Sequence, residues 1–314
     1  MTNNNSFIDI CMATYNGEKY LEQQLDSILE QTYKNFKINI IDDKSTDNTV
    51  EILKDYKIRF PNKIFYEVNG NNIGFVKNFE KLLKKSTKDY IALSDQDDIW
   101  VKEKLTIEMN KLLESEEYNK PILVHSDLEM IYDDKKDCKN SFFKYRGISF
   151  SDSQSLSWLI SHGGVMGNTI LMNRKLRDLA LPFPEKLIYH DYWLPIIATI
   201  YGKCVTIEKP LVLYRIHDSN TSNSVDTIRS VKKKKLPFCN QDKEYTLRHL
   251  LDKYELDKNN RQIIKAFVGY LENSTYWFYQ IYDIIRYNLV RKNIIYRTKL
   301  FGKIFIRSLF KGNM

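Results

Sequence analysis

Two hydrophobic periods alternate along the first hundred residues of the chain. Four short apolar runs, "FIDICMA", "FKINIID", "KIFYEV" and "DYIALS", predict strands. The stretches between them predict helices, as in "GEKYLEQQLDSILEQ", where Leu21, Leu25 and Ile28 recur at helical spacing. Strands that alternate with helices predict right-handed crossovers and a mainly parallel sheet with helices on both faces. The expected fold class is therefore α/β.

The rest of the chain continues this pattern and then changes. "KEKLTIEMNKLLES" and "YHDYWLPIIATIYG" predict helices, "PILVHSDLEMI" and "PLVLYRIH" predict strands, and a polar loop is expected through about Asn140. Ser/Asn clusters and the run "KKKK" predict a loop or linker over 218–240, and the chain beyond Gln241 has a helical pattern. The expected organisation is a first domain over 1–222 with halves of about 1–100 and 101–222, a linker over 223–240, and a basic helical region over 241–314.

Composition places this chain among ordinary globular proteins. It has 314 residues, of which 43% are hydrophobic and 28% charged. Cys11, Cys138, Cys204 and Cys239 lie far apart without a CxxC spacing, which argues against a zinc site and against a disulfide framework. The N-terminal residues do not resemble a signal peptide, and no apolar run approaches the ~18 residues of a membrane span. We expect a soluble cytosolic protein, or one that lies on a membrane surface.

The net charge of +8 is distributed unevenly. Residues 229–314 carry 19 Lys and Arg against 7 Asp and Glu, whereas residues 1–228 carry 29 against 33. The last part, 284–314, has eight basic residues and no acidic one, interleaved with aromatic and aliphatic residues. Such a helix can lie among lipid headgroups, here at the inner-membrane surface. A solvated helix packed on the first domain, or an oligomer contact, would have the same pattern, and no recognised motif supports a nucleic-acid partner.

Polar clusters follow each of the first four predicted strands. They are "TYNG", "DDKSTDNT", "NGNNIG" and "SDQDD", and ligands of α/β sheets bind at this edge of the sheet. An aspartate cluster there is either a solvated turn or helix cap, or a site for a divalent cation that also holds phosphate oxygens. In the second cluster, Asp47 or Ser45 can cap the next helix, or Asp43 can accept a hydrogen bond from a nucleotide base. Tyr15 either stacks on that base or is an ordinary edge aromatic.

Taken together and in this order, these motifs resemble a known family. The run "ICMATYNGEKYLEQQLDSILEQTYKNFKINIIDDKSTDNT" resembles the opening of glycosyltransferase family 2, which consists of inverting enzymes with a GT-A fold. The resemblance covers roughly residues 6–222, and "SDQDDIW" is similar to the family's extended DxD element. It implies a nucleotide-sugar donor, a divalent metal (Mn²⁺ or Mg²⁺) bound by Asp97, and a ribose contact from Asp95. Asp98 would support one of these two roles.

The same resemblance implies a general base. Asp191 lies in the first turn of a predicted helix, where it either caps the helix or interacts with its dipole, or deprotonates the acceptor hydroxyl. Near it, His190 is a structural residue or an acceptor contact, and Trp193 either stacks on the acceptor sugar or fills the interior. Arg215 and His217 lie on the same side of the strand "PLVLYRIH", because side chains alternate along a strand. Arg215 can clamp a diphosphate, and His217 either donates to that diphosphate, completes the metal shell or is a structural residue.

The predicted site therefore has four parts, of which the catalytic part is Asp191 and the metal part is Asp97 with His217. The donor-binding residues would be Ala13, Tyr15, Asp43, Asn72, Gly74, Asp95 and Arg215. The acceptor-binding residues would be Trp100, Gly167, Asn168, Thr169, His190 and Trp193.

The strings "SDQDDIW", "HDYW" and "LYRIH" are similar to those of bacterial enzymes that build rhamnose-containing cell-wall polysaccharides and capsules. This similarity implies dTDP-L-rhamnose as the donor, with a UDP-hexose next, and a glycan or lipid-linked glycan as the acceptor. We expect the enzyme to lie on the cytoplasmic face of the membrane, with oligomers possible. A sugar nucleotidyltransferase and a non-catalytic GT-A-like scaffold at the membrane are the alternative functions.

Overall fold

A computed structural model describes residues 6–132, 135–139, 141–150, 154–217, 241–272, 277–289, 301 and 304. Its strands are β1 (Ile8–Thr14), β2 (Phe36–Asp42), β3 (Ile64–Val68), β4 (Tyr90–Ser94), β5 (Ile99–Trp100), β6 (Ile122–Tyr132), β7 (Lys135–Lys139), β8 (Ile170–Asn173) and β9 (Lys203–Ile216). Its helices are α1 (Leu21–Leu29), α2 (Thr49–Arg59), α3 (Phe75–Lys85), α4 (Lys104–Ser115), α5 (Phe142–Arg146), α6 (Leu156–His162), α7 (Arg174–Ala180), α8 (His190–Tyr201), α9 (Gln241–Lys253), α10 (Lys258–Glu272) and α11 (Trp277–Arg286).

Within the described residues, nine strands form one sheet in the order β3-β2-β1-β4-β8-β6-β9-β5, and β7 pairs with β6. Strands β1 to β4 pair in parallel, as do β6 and β9. Strand β8 runs antiparallel to both β4 and β6. The prediction of a mainly parallel α/β sheet with helices is confirmed, and so is a helical C-terminal region.

Several elements differ from the sequence-based expectation. Strand β7 lies within the predicted polar loop, because pairing with β6 rather than an apolar pattern makes it a strand. Strand β9 begins seven residues before the predicted "PLVLYRIH", and β5 is a two-residue strand that pairs with β9. The predicted linker 223–240 lies outside the described residues.

The apolar side chains of the described residues form two layers, one on each face of the sheet. Ile8, Ile10 and Met12 of β1 belong to the layer that includes α1, α2 and α4. The opposite layer contains α3, α6, α7 and α8, and it also contains α9 and α10 through Leu247, Leu250 and similar residues. Each fully buried Leu contributes roughly 1.5–3 kcal/mol to folding. The described C-terminal helices therefore share the core of the sheet domain.

The predicted membrane contact of residues 284–314 lies mostly outside the described residues. Helix α11, which ends at Arg286, exposes Tyr279, Tyr282 and Ile285. None of the described helices is long and apolar enough to cross a bilayer.

Candidate active site

The loops after β1 and β4 are bonded to each other at the carboxyl edge of the sheet. The backbone N–H of Tyr15 donates to Gln96 Oε1 (2.9 Å), and Gln96 Nε2 donates to the Tyr15 carbonyl (3.0 Å). A Cβ atom at Gly17 would lie against Gln96 Oε1, so a larger residue at this position would displace the Gln96 side chain from Tyr15. The pair holds the exposed Tyr15 ring beside the aspartate loop. Sequence reasoning missed Gln96, which stands between the aspartates of "SDQDD" without a signal of its own.

Asp43 is enclosed by the loop after β3. Its carboxylate accepts the N–H groups of Ile73 (2.9 Å) and Gly74 (2.8 Å) and the side-chain amide of Asn69 (2.9 Å). Burial opposes ionisation, but these hydrogen bonds outweigh it and lower the pKa of Asp43 below its ordinary value. Gly74 has a φ of 85°, a conformation that favours glycine. Asp43 is thus a fixed, ionised acceptor.

Two other predicted donor contacts flank this group. Asn72 is exposed on the loop before Gly74, and Ala13 is half-buried near the end of β1. The exposed fraction of Tyr15 is 47%, which leaves its ring accessible to a flat ligand. The structure therefore brings the predicted nucleoside contacts to one edge of the sheet.

The aspartates of "SDQDD" form a cluster of carboxyl groups whose like charges disfavour ionisation. Asp98 is fully buried and accepts hydrogen bonds from the Asn168 side chain and from the backbone N–H of Arg215 (3.1 Å). Burial, followed by the charges of Asp97 and Asp95, raises the pKa of Asp98 well above its ordinary value. Burial also raises the pKa of Asp95, and the charges of Asp97 and Asp191 add to this effect. A cation among these groups would relieve their repulsion.

Arg215 and His217, at the end of β9, meet the aspartate loop. His217 Nε2 lies 2.9 Å from Asp97 Oδ2, and Arg215 Nε donates to the Asp97 carbonyl (3.0 Å). Arg215 Nη2 also donates to Gln23 of α1 (2.5 Å), and the guanidinium lies 4.5 Å from the centre of the Tyr20 ring. Sequence reasoning missed Gln23 and Tyr20, because 192 residues separate Gln23 from Arg215 along the chain.

The donor set around Asp97 fits a hard divalent cation. Within the described ranges, no group of three or more His, Cys, Asp or Glu side chains is placed to hold a metal ion. Asp97 Oδ2 and His217 Nε2 nevertheless lie 2.9 Å apart, so one carboxylate and one imidazole are available as ligands. Mg²⁺ is usually held by one or two carboxylates together with substrate phosphates, so a partial protein shell of this kind is suitable.

Asp191 is partly buried in the first turn of α8. Its Oδ2 accepts the backbone N–H of Gly167 (3.2 Å), which belongs to a 3-10 turn over Gly167–Thr169. Burial raises the pKa of Asp191 to about 6, against the Gly167 hydrogen bond and the charge of Lys243, which lower it. Lys243 comes from α9, and sequence reasoning did not find it. The charge of Asp191 acts on Asp95, so the two carboxyl groups lie within electrostatic range of each other.

Of the predicted acceptor contacts, Gly167 and His190 lie beside Asp191. His190 is 4% exposed and packs against Phe79, with 4.0 Å between ring centres, and burial lowers its pKa to about 3. A Cβ atom at Gly167 would lie 2.7 Å from His190 Nε2. His190 is therefore a neutral packing residue that limits the space behind Asp191.

The other four predicted acceptor contacts are buried in this structure. Trp193 is fully buried and its indole N–H donates to the Ala180 carbonyl (2.9 Å). Trp100 is 3% exposed and lies under the Lys104 ammonium at 4.1 Å. The remaining two, Asn168 and Thr169, are fully buried and bond within the protein, to Asp98 and to the Met166 carbonyl. These side chains support the site from the interior.

Known proteins are similar in sequence to this chain, in one case over 74% of its length. An uncharacterized glycosyltransferase of Methanocaldococcus jannaschii, MJ1057, is 30% identical over 250 residues, which is 74% of this chain and 82% of that protein. The dTDP-rhamnosyl transferase RfbG of Shigella flexneri is 46% identical over 98 residues, a match that spans 30% of this chain and 34% of that protein.

Solved structures share the GT-A fold at low identity. The S. aureus TarS 1-349 complex with UDP-GlcNAc has a TM-score of 0.59 at 17% identity and covers 88% of this chain and 79% of its own. The mannosyltransferase PcManGT from Pyrobaculum calidifontis, in complex with GDP-Man and Mn²⁺, has a TM-score of 0.59 at 14% identity. The match covers 98% of this chain and 81% of the PcManGT chain.

A family model described as Glycosyl transferase family 2 matches residues 9–176, which contain the loops that follow β1 to β4 and the turn that contacts Asp191. The match extends over more than half of the chain, so this protein belongs to glycosyltransferase family 2.

Proposed function

We propose that this protein transfers a sugar from a nucleoside-diphosphate donor to a hydroxyl group of a glycan or lipid-linked glycan, with inversion at the anomeric carbon. The observation that carries the proposal is the meeting of Asp95 and Asp97 with Asp191 at one edge of the sheet. The Gly167 N–H donates to Asp191 and the side chain of the next residue, Asn168, donates to Asp98, so one turn joins Asp191 to the aspartate loop, and a donor held by Asp95 and Asp97 would lie near Asp191. Family membership supports the reaction class.

The donor would bind through its nucleoside at the β1 and β2 loops. The exposed ring of Tyr15 would stack on the base, and Asp43 would accept a base N–H. Because its hydrogen bonds keep Asp43 ionised, it would accept and not donate at this position. Ala13, Asn72 and Gly74 would surround the nucleoside.

The ribose and the diphosphate would lie over the aspartate loop. Asp95 would contact the ribose, and Asp97 and His217 would hold a divalent ion, Mn²⁺ or Mg²⁺. Such an ion, when bound, supplies charge neutralisation for the leaving diphosphate. Arg215 would contribute positive charge from a position fixed by Gln23 and the Asp97 carbonyl.

The acceptor would be activated by Asp191. A pKa of about 6 leaves its carboxylate ionised at neutral pH and still basic enough to accept a proton in the transition state. As the acceptor oxygen forms its bond to the anomeric carbon, its proton passes to Asp191 and the bond to the diphosphate oxygen breaks. Attack from the face opposite the leaving group inverts the configuration.

The sugar and the location are finer proposals. Partial similarity to RfbG supports dTDP-L-rhamnose as the first donor to test, and a UDP-hexose is the second. The charge of 284–314 supports a location at the cytoplasmic face of the membrane, in an enzyme of polysaccharide synthesis. The proposed division of the chain places a linker over 223–240, and the described helices that follow it, within 241–289, pack on the sheet domain.

The first experiment is a thermal shift of the full chain with Mn²⁺ and UDP, dTDP, GDP or CDP in turn, because a ligand that binds the native state raises the melting temperature. A metal-dependent rise with dTDP supports the rhamnosyl donor, and a rise with UDP alone favours the hexose. If no nucleotide raises the melting temperature, the result supports the alternative function, a non-catalytic GT-A-like scaffold.

Variants then separate the roles. Asp97→Asn should abolish metal-dependent donor binding, whereas Asp191→Asn should leave donor binding intact and remove transfer. Equal loss of donor binding in both variants contradicts the division of roles. Release of pyrophosphate in place of a nucleoside diphosphate would indicate a nucleotidyltransferase.

A further inference from the structure

Helix α9 brings a lysine to the general base from outside the part of the chain that the family model matches. Lys243 lies in the first turn of α9, and its Nζ is 4.6 Å from the centre of the Tyr192 ring. Tyr192 follows Asp191 in the first turn of α8 and is itself fixed, because its hydroxyl donates to the Ile160 carbonyl (2.8 Å). The ammonium group is therefore held against the turn that carries the base.

The position of α9 is set by packing and does not depend on Lys243. Leu247 and Leu250 of α9 are fully buried in the layer that contains α8. Farther along α9, the His249 ring makes an edge contact with Trp193 of α8, at 6.1 Å between ring centres. These contacts make the approach of Lys243 to Asp191 a property of the folded core.

The groups that face Asp191 come from four parts of the fold. Gly167 donates its N–H to Asp191, and the Asp95 carboxyl in the loop after β4 and the Tyr189 hydroxyl just before α8 lie within electrostatic range of Asp191. Lys243 supplies the opposing positive charge. Burial lowers the pKa of Lys243 to about 8, against the charge of Asp191, so the ammonium remains protonated at neutral pH.

We propose that Lys243 is a positioning residue of the transfer reaction, which keeps the Asp191 carboxylate ionised against burial. The inference rests on the proposed role of Asp191 as the general base. It extends the functional site to the C-terminal helices. Lys243 acts through Asp191 and need not touch either substrate.

The test is the pH dependence of kcat/KM in the full chain. The positive charge of Lys243 lowers the pKa of Asp191, so Lys243→Met should move the acidic limb of the profile to higher pH. At pH 6, where the wild-type Asp191 is about half ionised, kcat/KM should fall roughly twofold or more. At pH 9 it should stay near the wild-type value, and Lys243→Arg should restore the wild-type limb.

A matched control is Lys186→Met. Lys186 is an exposed lysine whose Nζ, like that of Lys243, lies over an aromatic ring, here 5.4 Å from the centre of the Tyr245 ring of α9. The Lys186→Met variant should have the wild-type pH profile. The proposal is overturned if Lys243→Met lowers kcat/KM by the same factor at every pH, which indicates a structural role. It is also overturned if acceptor KM rises with an unmoved acidic limb, which indicates a substrate contact.

Failure of the underlying function has a different signature. If Asp191→Asn retains transfer, Asp191 is not the general base, and the proposed role of Lys243 then has no basis. If Asp191→Asn loses transfer while Lys243→Met keeps the wild-type profile, the base assignment stands and the role of Lys243 fails.

Discussion

Replacing the proposed base should make the protein more stable as well as inactive. The pKa of Asp191 is raised from 3.8 to about 6, so the folded state binds this proton more tightly than the unfolded state does. Ionisation of the carboxylate therefore destabilises the fold as pH rises from about 4 to about 6, and the penalty is constant above that range. A shift of this size corresponds to about 3 kcal/mol.

Asp191→Asn removes the ionisation and keeps an oxygen that can accept the Gly167 N–H. We expect the variant to match wild type near pH 4 and to exceed it at pH 8 by up to about 3 kcal/mol, a rise in Tm of roughly 5 °C or more. Thermal melts in EDTA over pH 4–8 would measure the difference. Asp252→Asn, an exposed carboxylate on α9, is the control and should show no such pH-dependent gain.

Two outcomes would refute this reasoning. A variant less stable than wild type at pH 8 would mean that the hydrogen bond from Gly167 and the charge of Lys243 outweigh burial. A gain of the same size at pH 4 and pH 8 would mean that packing and not ionisation separates the two proteins. The expected result would be a trade of stability for activity at a functional residue.

Three further predictions concern packing and donor binding. Gly167→Ala puts a methyl group 2.7 Å from His190 Nε2, so urea unfolding should show about 1–3 kcal/mol of destabilisation and kcat should fall. An unchanged unfolding free energy would contradict this geometry. Trp193→Phe loses the hydrogen bond to the Ala180 carbonyl, so the free energy of unfolding should fall by about 1–3 kcal/mol. The KM for the acceptor should be unchanged, and a raised KM would indicate that Trp193 contacts the acceptor. Tyr15→Ala should change stability by less than about 0.5 kcal/mol and weaken nucleotide binding by about 1–3 kcal/mol in calorimetry, and unaltered affinity would rule out stacking.

The sheet was predictable because its central strands are apolar on both faces. A run such as "FIDICMA" has few alternatives once helical stretches flank it, and the order of elements then limits the topology. Strand β7 was not predictable in this way. Its sequence, "KKDCK", has no apolar period, and it becomes a strand through pairing with β6.

The placement of the candidate site residues was predictable where it depends on their position in the chain. Asp43, Asp95 and Asp97 follow strands whose carboxyl ends meet at one edge, so the fold itself brings them together. Lys243 could not be found, because its role depends on how α9 packs, and no local pattern encodes that contact. The burial of Trp193 could not be predicted either, because an indole that stacks on a sugar and one that fills a core have the same signature in a sequence.

The shared apolar layer of α8, α9 and α10 has a consequence for inheritance. Residues 9–176 contain the motifs by which the family is known, yet Leu247 and Leu250 complete the core on which α8 rests. A recombination event that joined the motifs to a foreign C-terminal segment would leave that face of α8 without its matching surface. The unit that must be inherited together is therefore larger than residues 9–176 and includes the helices that pack on α8.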